Sequence, residues 1–296
     1  MLDVRNIHQH FRTGFWLKPV TILDNLSLVV PRGSITGFLG PNGAGKTSLI
    51  QLVTGIRRPK SGSITWNGMS VLERQTRARL GYLPERPYFH DHLTGNELLA
   101  YFGGLSGLSD GEIAKRTPRL LERVGLAQAG DKMLRAYSKG MLQRIGIAQA
   151  LIHDPEFLVL DEPMSGLDPL GRAEMKRIII ELGQEGRTVF FSSHITPDME
   201  AICDRVAMID RGKLIKSGPI TELLLDQSQS TEIRFHAQSL KEALPSESQL
   251  GPDGLYRLTV SSKSVDQTLQ GLLKLGVSIV SVTPVHASLE QWFKKS

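Results

Sequence analysis

The spacing of apolar positions changes character along the chain, and each change marks an element. VTILDNLSLVV (20–30) is rich in β-branched and apolar residues and stops at Pro31, Arg32 and Gly33, a strand followed by a turn. SITGFLG (34–40) reads as a short buried strand that runs straight into a glycine-rich loop. TSLIQLVTG (47–55) has helical spacing and ends at Gly55, and GSITWNG (62–68) is a strand with turns on both sides. Between 94 and 129 the period becomes helical, in TGNELLAYFGGL and DGEIAKRTPRLLERVGL, which predicts a helical insertion inside a larger domain. A core strand EFLVLDE (156–162) follows, then a helix over 171–186, a strand TVFFSSH (188–194), a helix around 197–203, and strands RVAMID and KLIKSG.

Near residue 226 the pattern breaks. DQSQS (226–230) is a polar linker. Beyond it come strand TEIRFHA, helix SLKEAL, strand LYRLTVS, helix VDQTLQGLLKLG, strand VSIVSVTPV and helix SLEQWFKK. The expectation is a large α/β domain over 1–225 and a small α+β domain over 231–296.

Composition narrows this picture only a little. Of 296 residues, 40% are hydrophobic and 22% charged, which is ordinary for a folded protein and argues against disorder. The formal net charge of +5 is spread along the chain, and its densest cluster is Arg74, Arg77 and Arg79. That reads as a solvated basic face, and it makes no nucleic-acid footprint. The single cysteine, Cys203, allows no internal disulfide and no thiolate metal cluster, and its half-apolar helical setting predicts a buried, inert thiol. The N-terminal MLDVRNIHQHF lacks the apolar core of a signal peptide, and no apolar run approaches the ~20 residues of a membrane helix. If the chain works at a membrane, it is expected to dock there.

Two segments carry candidate chemistry. GPNGAGKT (40–47) fits G-x-x-x-x-G-K-[ST] at every fixed position, with an apolar strand before it and a helix after it. Such a loop curls its N–H groups around phosphate oxygens, and the following helix turns its positive end to the same anion. Gly40, Pro41, Asn42, Gly43, Ala44, Gly45, Lys46, Thr47 and Ser48 are therefore the candidate nucleotide-phosphate residues. Lys46 can reach the β- and γ-phosphates, and the Thr47 hydroxyl can face Mg²⁺. FLVLDEP (157–163) delivers two adjacent carboxylates. Strand alternation would aim them in opposite directions, with Asp161 toward Mg²⁺ and Glu162 toward an attacking water. No guanine-specificity motif of the N-K-x-D kind accompanies them.

The ordered set GPNGAGKT, GYLPE (81–85), YSKGMLQR (137–144), FLVLDE, SGLD (165–168) and SSH (192–194) resembles the nucleotide-binding subunit of an ABC transporter. The resemblance covers about residues 1–225, and YSKGMLQR is its most specific element. It implies a P-loop NTPase core with an antiparallel β subdomain and a helical subdomain at about 86–150. It implies ATP and Mg²⁺ as cofactors, and two copies closing head to tail around two ATP molecules. In that arrangement Ser138 and Gly140, at the start of a helix, cap the γ-phosphate held by the partner, and Asp168 crosses the dimer interface. His194 would contact the γ-phosphate and Glu85 would join Thr47 and Asp161 at the metal. An aromatic ring stacks on adenine; Phe11 is the first candidate, with Phe15 and Trp16 as alternatives. His90 and His92 lie in a polar turn and read as surface residues.

Two departures from the family pattern narrow the branch. Glu85 stands where glutamine is usual, and YSKGM replaces the more widespread LSGGQ, which adds Lys139. Both resemble exporter ATPases for drugs, sodium or polysaccharide, as does the VSIVSVTPVHASLEQWF tail, readable as simple packing or as a dimer or regulatory module. The implied role is to power a membrane exporter from the cytoplasmic face of the inner membrane, bound peripherally to a permease. A non-transport ATPase acting on nucleic acid or ribosomes is the alternative. It fits less well, because about 110 residues separate the phosphate loop from the acidic strand and no coiled-coil heptads appear. No direct nucleic-acid partner is expected. All hydrolytic positions are present, which argues against a cassette that only binds ATP.

Overall fold

A computed structural model of the chain describes residues 1–13, 18–225, 230–237, 244–245, 247–284, 289 and 292. It divides into two compact units, 1–218 and 219–296. That division falls a few residues before the polar stretch that marks a linker in the sequence.

The first unit opens with β1 (Leu2–Thr13), β2 (Lys18–Val30) and β3 (Ile35–Leu39). Helix α1 (Lys46–Val53), β4 (Ser61–Trp66), β5 (Met69–Ser70), α2 (Arg74–Arg77) and β6 (Leu80–Leu83) follow. The helical insertion comprises α3 (Gly95–Leu105), α4 (Asp110–Arg123) and α5 (Lys139–Leu151). Then come β7 (Phe157–Leu160), α6 (Pro169–Gln184), β8 (Thr188–Ser193), α7 (Thr196–Ile202), β9 (Arg205–Asp210) and β10 (Lys213–Pro219).

The central sheet has the order β10-β9-β3-β8-β7-β6, and β6, β7, β8, β3 and β9 run parallel. In such a sheet ligands gather at the carboxyl ends of the strands. The register supports this, because Leu39 of β3 pairs with Ser193 of β8 and Leu160 of β7 with Phe191 of β8. Three strands therefore release their loops at nearly one level. The residues of β3, β7 and β8 are all buried, which accounts for their continuous apolar runs.

A second, antiparallel sheet has the order β2-β1-β4-β5. One apolar core joins it to the central sheet, and within that core Trp66 of β4 stacks on Phe157 of β7 at 4.3 Å and 7°. Helices α3 and α4 each start with a capping box, Thr94 with Glu97 and Ser109 with Glu112. Cys203 is buried with its Sγ 3.6 Å from Met199 Sδ, and burial pushes its thiol pKa well up. His90 and His92 are exposed, as are Arg74, Arg77 and Arg79.

The second unit begins with α8 (Ile220–Leu225) and β11 (Ser230–His236), followed by β12 (Gln249–Leu250), β13 (Tyr256–Ser261), α9 (Val265–Lys274) and β14 (Ser278–Pro284). Its sheet order is β12-β13-β11-β14, with a small core of Ile233, Phe235, Leu258, Leu272 and Val277. The SLKEAL helix and most of SLEQWFKK lie outside the described residues. Of the latter, Leu289 is buried and the Trp292 N–H donates to the Leu289 carbonyl at 3.2 Å.

The Trp66–Phe157 stack links the two sheets of the first unit. Phe157→Ala is expected to cost about 3–5 kcal/mol of unfolding free energy, measured by denaturant titration. A loss below 1 kcal/mol would mean that this contact does not tie the sheets together.

Candidate functional site

The loop between β3 and α1 is built around Gly45, which caps α1 at φ +108°. A Cβ there would fall 2.8 Å from Leu23 Cδ2 and 2.9 Å from the Ile22 carbonyl, so glycine is required both for conformation and for room. Helix α1 has no side-chain cap and no acid in its first turn. Its N-terminal N–H groups and positive dipole end are therefore directed at the loop. Lys46 is buried and donates to the carbonyls of Gly40 at 2.8 Å and Pro41 at 3.1 Å. The Ala44 N–H closes the loop onto the Pro41 carbonyl at 3.2 Å.

This loop forms one wall of a cleft of about 460 Å³. Asn42, Gly43, Gly45, Lys46, Thr47 and Ser48 line it from one side, and Glu85, Glu162, Ser165 and His194 from the other. The Lys46 ammonium lies 3.2 Å from Glu162 Oε1, and His194 Nδ1 lies 2.9 Å from Glu162 Oε2. Both carboxylate oxygens of Glu162 are thus held.

The two acidic residues differ in their partners, but strand alternation is not the reason. Strand β7 ends at Leu160, and both carboxylates lie beyond it. Glu162 adopts φ +47°, an uncommon left-handed conformation for a side-chain-bearing residue. Ser192 of β8 fixes this turn: its hydroxyl donates to Asp161 Oδ1 at 2.7 Å and accepts the Glu162 N–H at 2.8 Å. Burial raises the Asp161 pKa, hydrogen bonds from Ser192 and Thr47 oppose the rise, and the nearby Glu162 and Glu85 charges add to it. A buried carboxylate with two acidic neighbours is a site that a cation relieves.

Ser138, Gly140 and Asp168 are not in this cleft. They line a separate depression of about 320 Å³. Ser138 caps α5 by accepting the Met141 N–H at 3.2 Å, and Asp168 caps α6 by accepting the Gly171 N–H at 2.9 Å. The Asp168 cap, with Pro169 next to it, explains why α6 starts before the helix read from the sequence. Lys139 reaches over Gly166, where a Cβ would lie 2.1 Å from its Nζ.

Phe11 is also outside the cleft. Its ring carries the Arg57 guanidinium at 4.6 Å and lines a basic depression with His10, Arg57, Arg58 and Lys60. Phe15 and Trp16 lie outside the described residues. Two residues inside SSH and YSKGMLQR have roles that those segments alone do not reveal. One is Ser192. The other is Gln143, buried in α5, whose Nε2 donates to the Glu85 carbonyl at 2.8 Å and fastens the Glu85 loop to α5.

Comparison with known proteins identifies the family and the fold. A family profile for ABC transporters matches residues 23–165. An ABC transporter ATP-binding protein of Nostoc is 44% identical over 98% of this chain and 87% of its own length. One from Synechocystis is 49% identical over 76% of this chain, which spans 64% of that relative. The bacitracin transport ATP-binding protein BcrA of Bacillus licheniformis is 34% identical over 92% of this chain and 91% of its own length. A solved ATP-binding subunit of an ABC transporter superposes with a TM-score of 0.66 at 28% identity, covering 76% of this chain and 92% of the other. A dimeric ATP-binding cassette bound to ADP and Pi shares the fold, with a TM-score of 0.68 at 20% identity, over 74% of this chain and 99% of the other. The chain belongs to the ATP-binding proteins of ABC transporters and is an ATPase of that family.

Proposed function

We propose that this ATPase powers an exporter, by closing head to tail with a second copy around ATP and reopening after hydrolysis. The observation that carries the reading is the separation of two half-sites on one chain. The Lys46 cleft holds a phosphate loop and a hydrolytic carboxylate, while the Ser138 depression offers a capped helix N-terminus elsewhere. Neither half surrounds a triphosphate alone, and pairing two copies supplies both halves to each nucleotide.

In this reading the loop N–H groups and Lys46 bind the β- and γ-phosphates. Glu162 accepts the proton of the attacking water, and His194 holds its carboxylate in line. Ser138 and Gly140 of the second copy donate to the γ-phosphate, and Asp168 meets the partner's loop. Among the described residues no cluster of three acidic, histidine or cysteine ligands exists. The Thr47 hydroxyl with Asp161 and Glu85 fits instead a hard cation that keeps phosphate oxygens and waters in its shell, which is the habit of Mg²⁺. When bound, Mg²⁺ would neutralise charge developing on the phosphates. The partner is a membrane permease, engaged through the Glu85 loop and the helical segment around 86–108, with the subunit peripheral on the cytoplasmic face. Among the described residues no helix is long and apolar enough to cross a membrane. Kinship with BcrA, a bacitracin transport ATP-binding protein, supports a role in transport. The first unit would act as the ATPase and the second as an accessory module.

Glu162→Gln is expected to lower phosphate release at least about 100-fold. It should also leave an ATP-stabilised dimer visible by light scattering. Hydrolysis at the wild-type rate would remove Glu162 from this role. Glu85→Gln takes a negative charge away from the γ-phosphate side. It should lower the KM for Mg·ATP by about threefold and alter permease-stimulated turnover; if neither changes, the charge is incidental. If Phe11 stacks on adenine it must share its ring with Arg57. Phe11→Ala should then weaken binding of a fluorescent ATP analogue by about 1–3 kcal/mol. Unchanged affinity would assign the ring to Arg57 alone.

A further inference from the structure

Asp198 lies outside the nucleotide cleft, and two cations on a neighbouring helix hold its carboxylate. It is 3% exposed. Arg172 Nη2 is 2.5 Å from its Oδ2, and Lys176 Nζ is 2.8 Å from its Oδ1. The two cations sit one turn apart on α6, and Asp198 sits in the first turn of α7. A buried ion pair is a poor way to gain stability, because its desolvation cost offsets the attraction. It does impose a fixed relation between the elements it joins. Helix α7 cannot slide along α6 without leaving a buried charge unpaired.

The placement gives that constraint a use. Arg172 follows Asp168 by four residues, and Asp198 follows His194 by four residues. Arg172 is therefore about one helical turn from Asp168, and Asp198 lies in the first turn of α7, which begins two residues after His194. Asp168 is exposed and starts α6 by accepting the Gly171 N–H at 2.9 Å through its side chain and the Arg172 N–H at 2.9 Å through its carbonyl. His194 holds Glu162 Oε2 at 2.9 Å. A displacement of the Asp168 loop is thus passed to the first turn of α6, across the ion pairs to the first turn of α7, and through the extended Ile195 at its start to the histidine.

We propose that Asp198, Arg172 and Lys176 form a positioning clamp that couples the exposed Asp168 loop to His194. Engagement of that loop by a second copy then governs how firmly the histidine is held in the contact with Glu162 that the single chain already makes. The clamp rests on the head-to-tail reading above. It adds a path by which contact at one nucleotide tunes the hydrolytic carboxylate at the other. Asp198 is a positioning residue, since it reaches the reacting atoms only through α7 and His194.

The test uses the full-length chain with Asp198→Asn, and in parallel Arg172→Gln with Lys176→Gln, which alters the half-exposed side and spares the buried residue. ATP affinity, kcat, KM, the dependence of turnover on protein concentration, and thermal melting are measured together. The expected result is ATP affinity within twofold of wild type and kcat reduced at least tenfold. The rise of specific activity with protein concentration should flatten, and Arg172→Lys should restore most of the rate. Wild-type kcat in a folded variant overturns the proposal. So does a loss of kcat that only tracks the unfolded fraction. If Asp198→Asn does not fold, the paired cation variant decides by the same criteria. The Glu162→Gln chain separates the two ideas. If it stays monomeric at saturating ATP, head-to-tail closure fails. If it dimerises while Asp198→Asn keeps wild-type kcat, only the clamp fails.

Discussion

One buried hydroxyl holds the relation on which the cleft depends. Ser192 donates to Asp161 and accepts from the backbone of Glu162, and so stitches the end of β7 to its neighbour β8. That hydroxyl supports the left-handed turn at Glu162, and an uncommon conformation of this kind persists only where its surroundings over-determine it. The turn is what brings the Glu162 carboxylate between Lys46 and His194. The parallel register of β3, β7 and β8 makes the arrangement possible, because it delivers the three loops at one level.

The helical insertion is tied to the same centre by a different kind of bond. Gln143 of α5 grips the carbonyl of Glu85, so the loop that lines the cleft and the helix that begins at Ser138 are fastened together. Lys139 lying over Gly166 adds a contact between that helix start and the loop leading to Asp168. Side chains from distant parts of the sequence are thereby grouped on two surfaces of one unit. The chemistry gathers in one group and the capped helix ends in the other.

The sequence made some of this legible and concealed the rest, for physical reasons. The phosphate loop could be read residue by residue, because glycine, lysine and threonine act there through local backbone geometry. Most of the long strands and helices also stood out, since period 2 and period 3.6 persist over several residues, though β1 was not delimited. The short elements β5, α2, β6 and β12 offer too few positions to show a period. The carboxylates Asp161 and Glu162 were readable as a pair, but the reason for their divergence was not. It lies in a turn held by a serine thirty residues away, and a contact of that range leaves no local pattern. Asp198 is hidden in the same way, because its partners lie on another helix. The Asp168 cap was legible in principle from Asp-Pro at a helix start. Phe11 marks the limit of inference by position, since the arginine over its ring comes from beyond α1.

The lone thiol has a practical consequence. Cys203 is sealed beneath β3 so closely that a Cβ on Gly37 would lie 2.7 Å from its sulfur, and burial keeps it protonated. Alkylating reagents act on exposed thiolate. The native chain therefore behaves toward them as a cysteine-free background, and a single cysteine engineered on its surface can carry a spectroscopic probe without first removing the natural one.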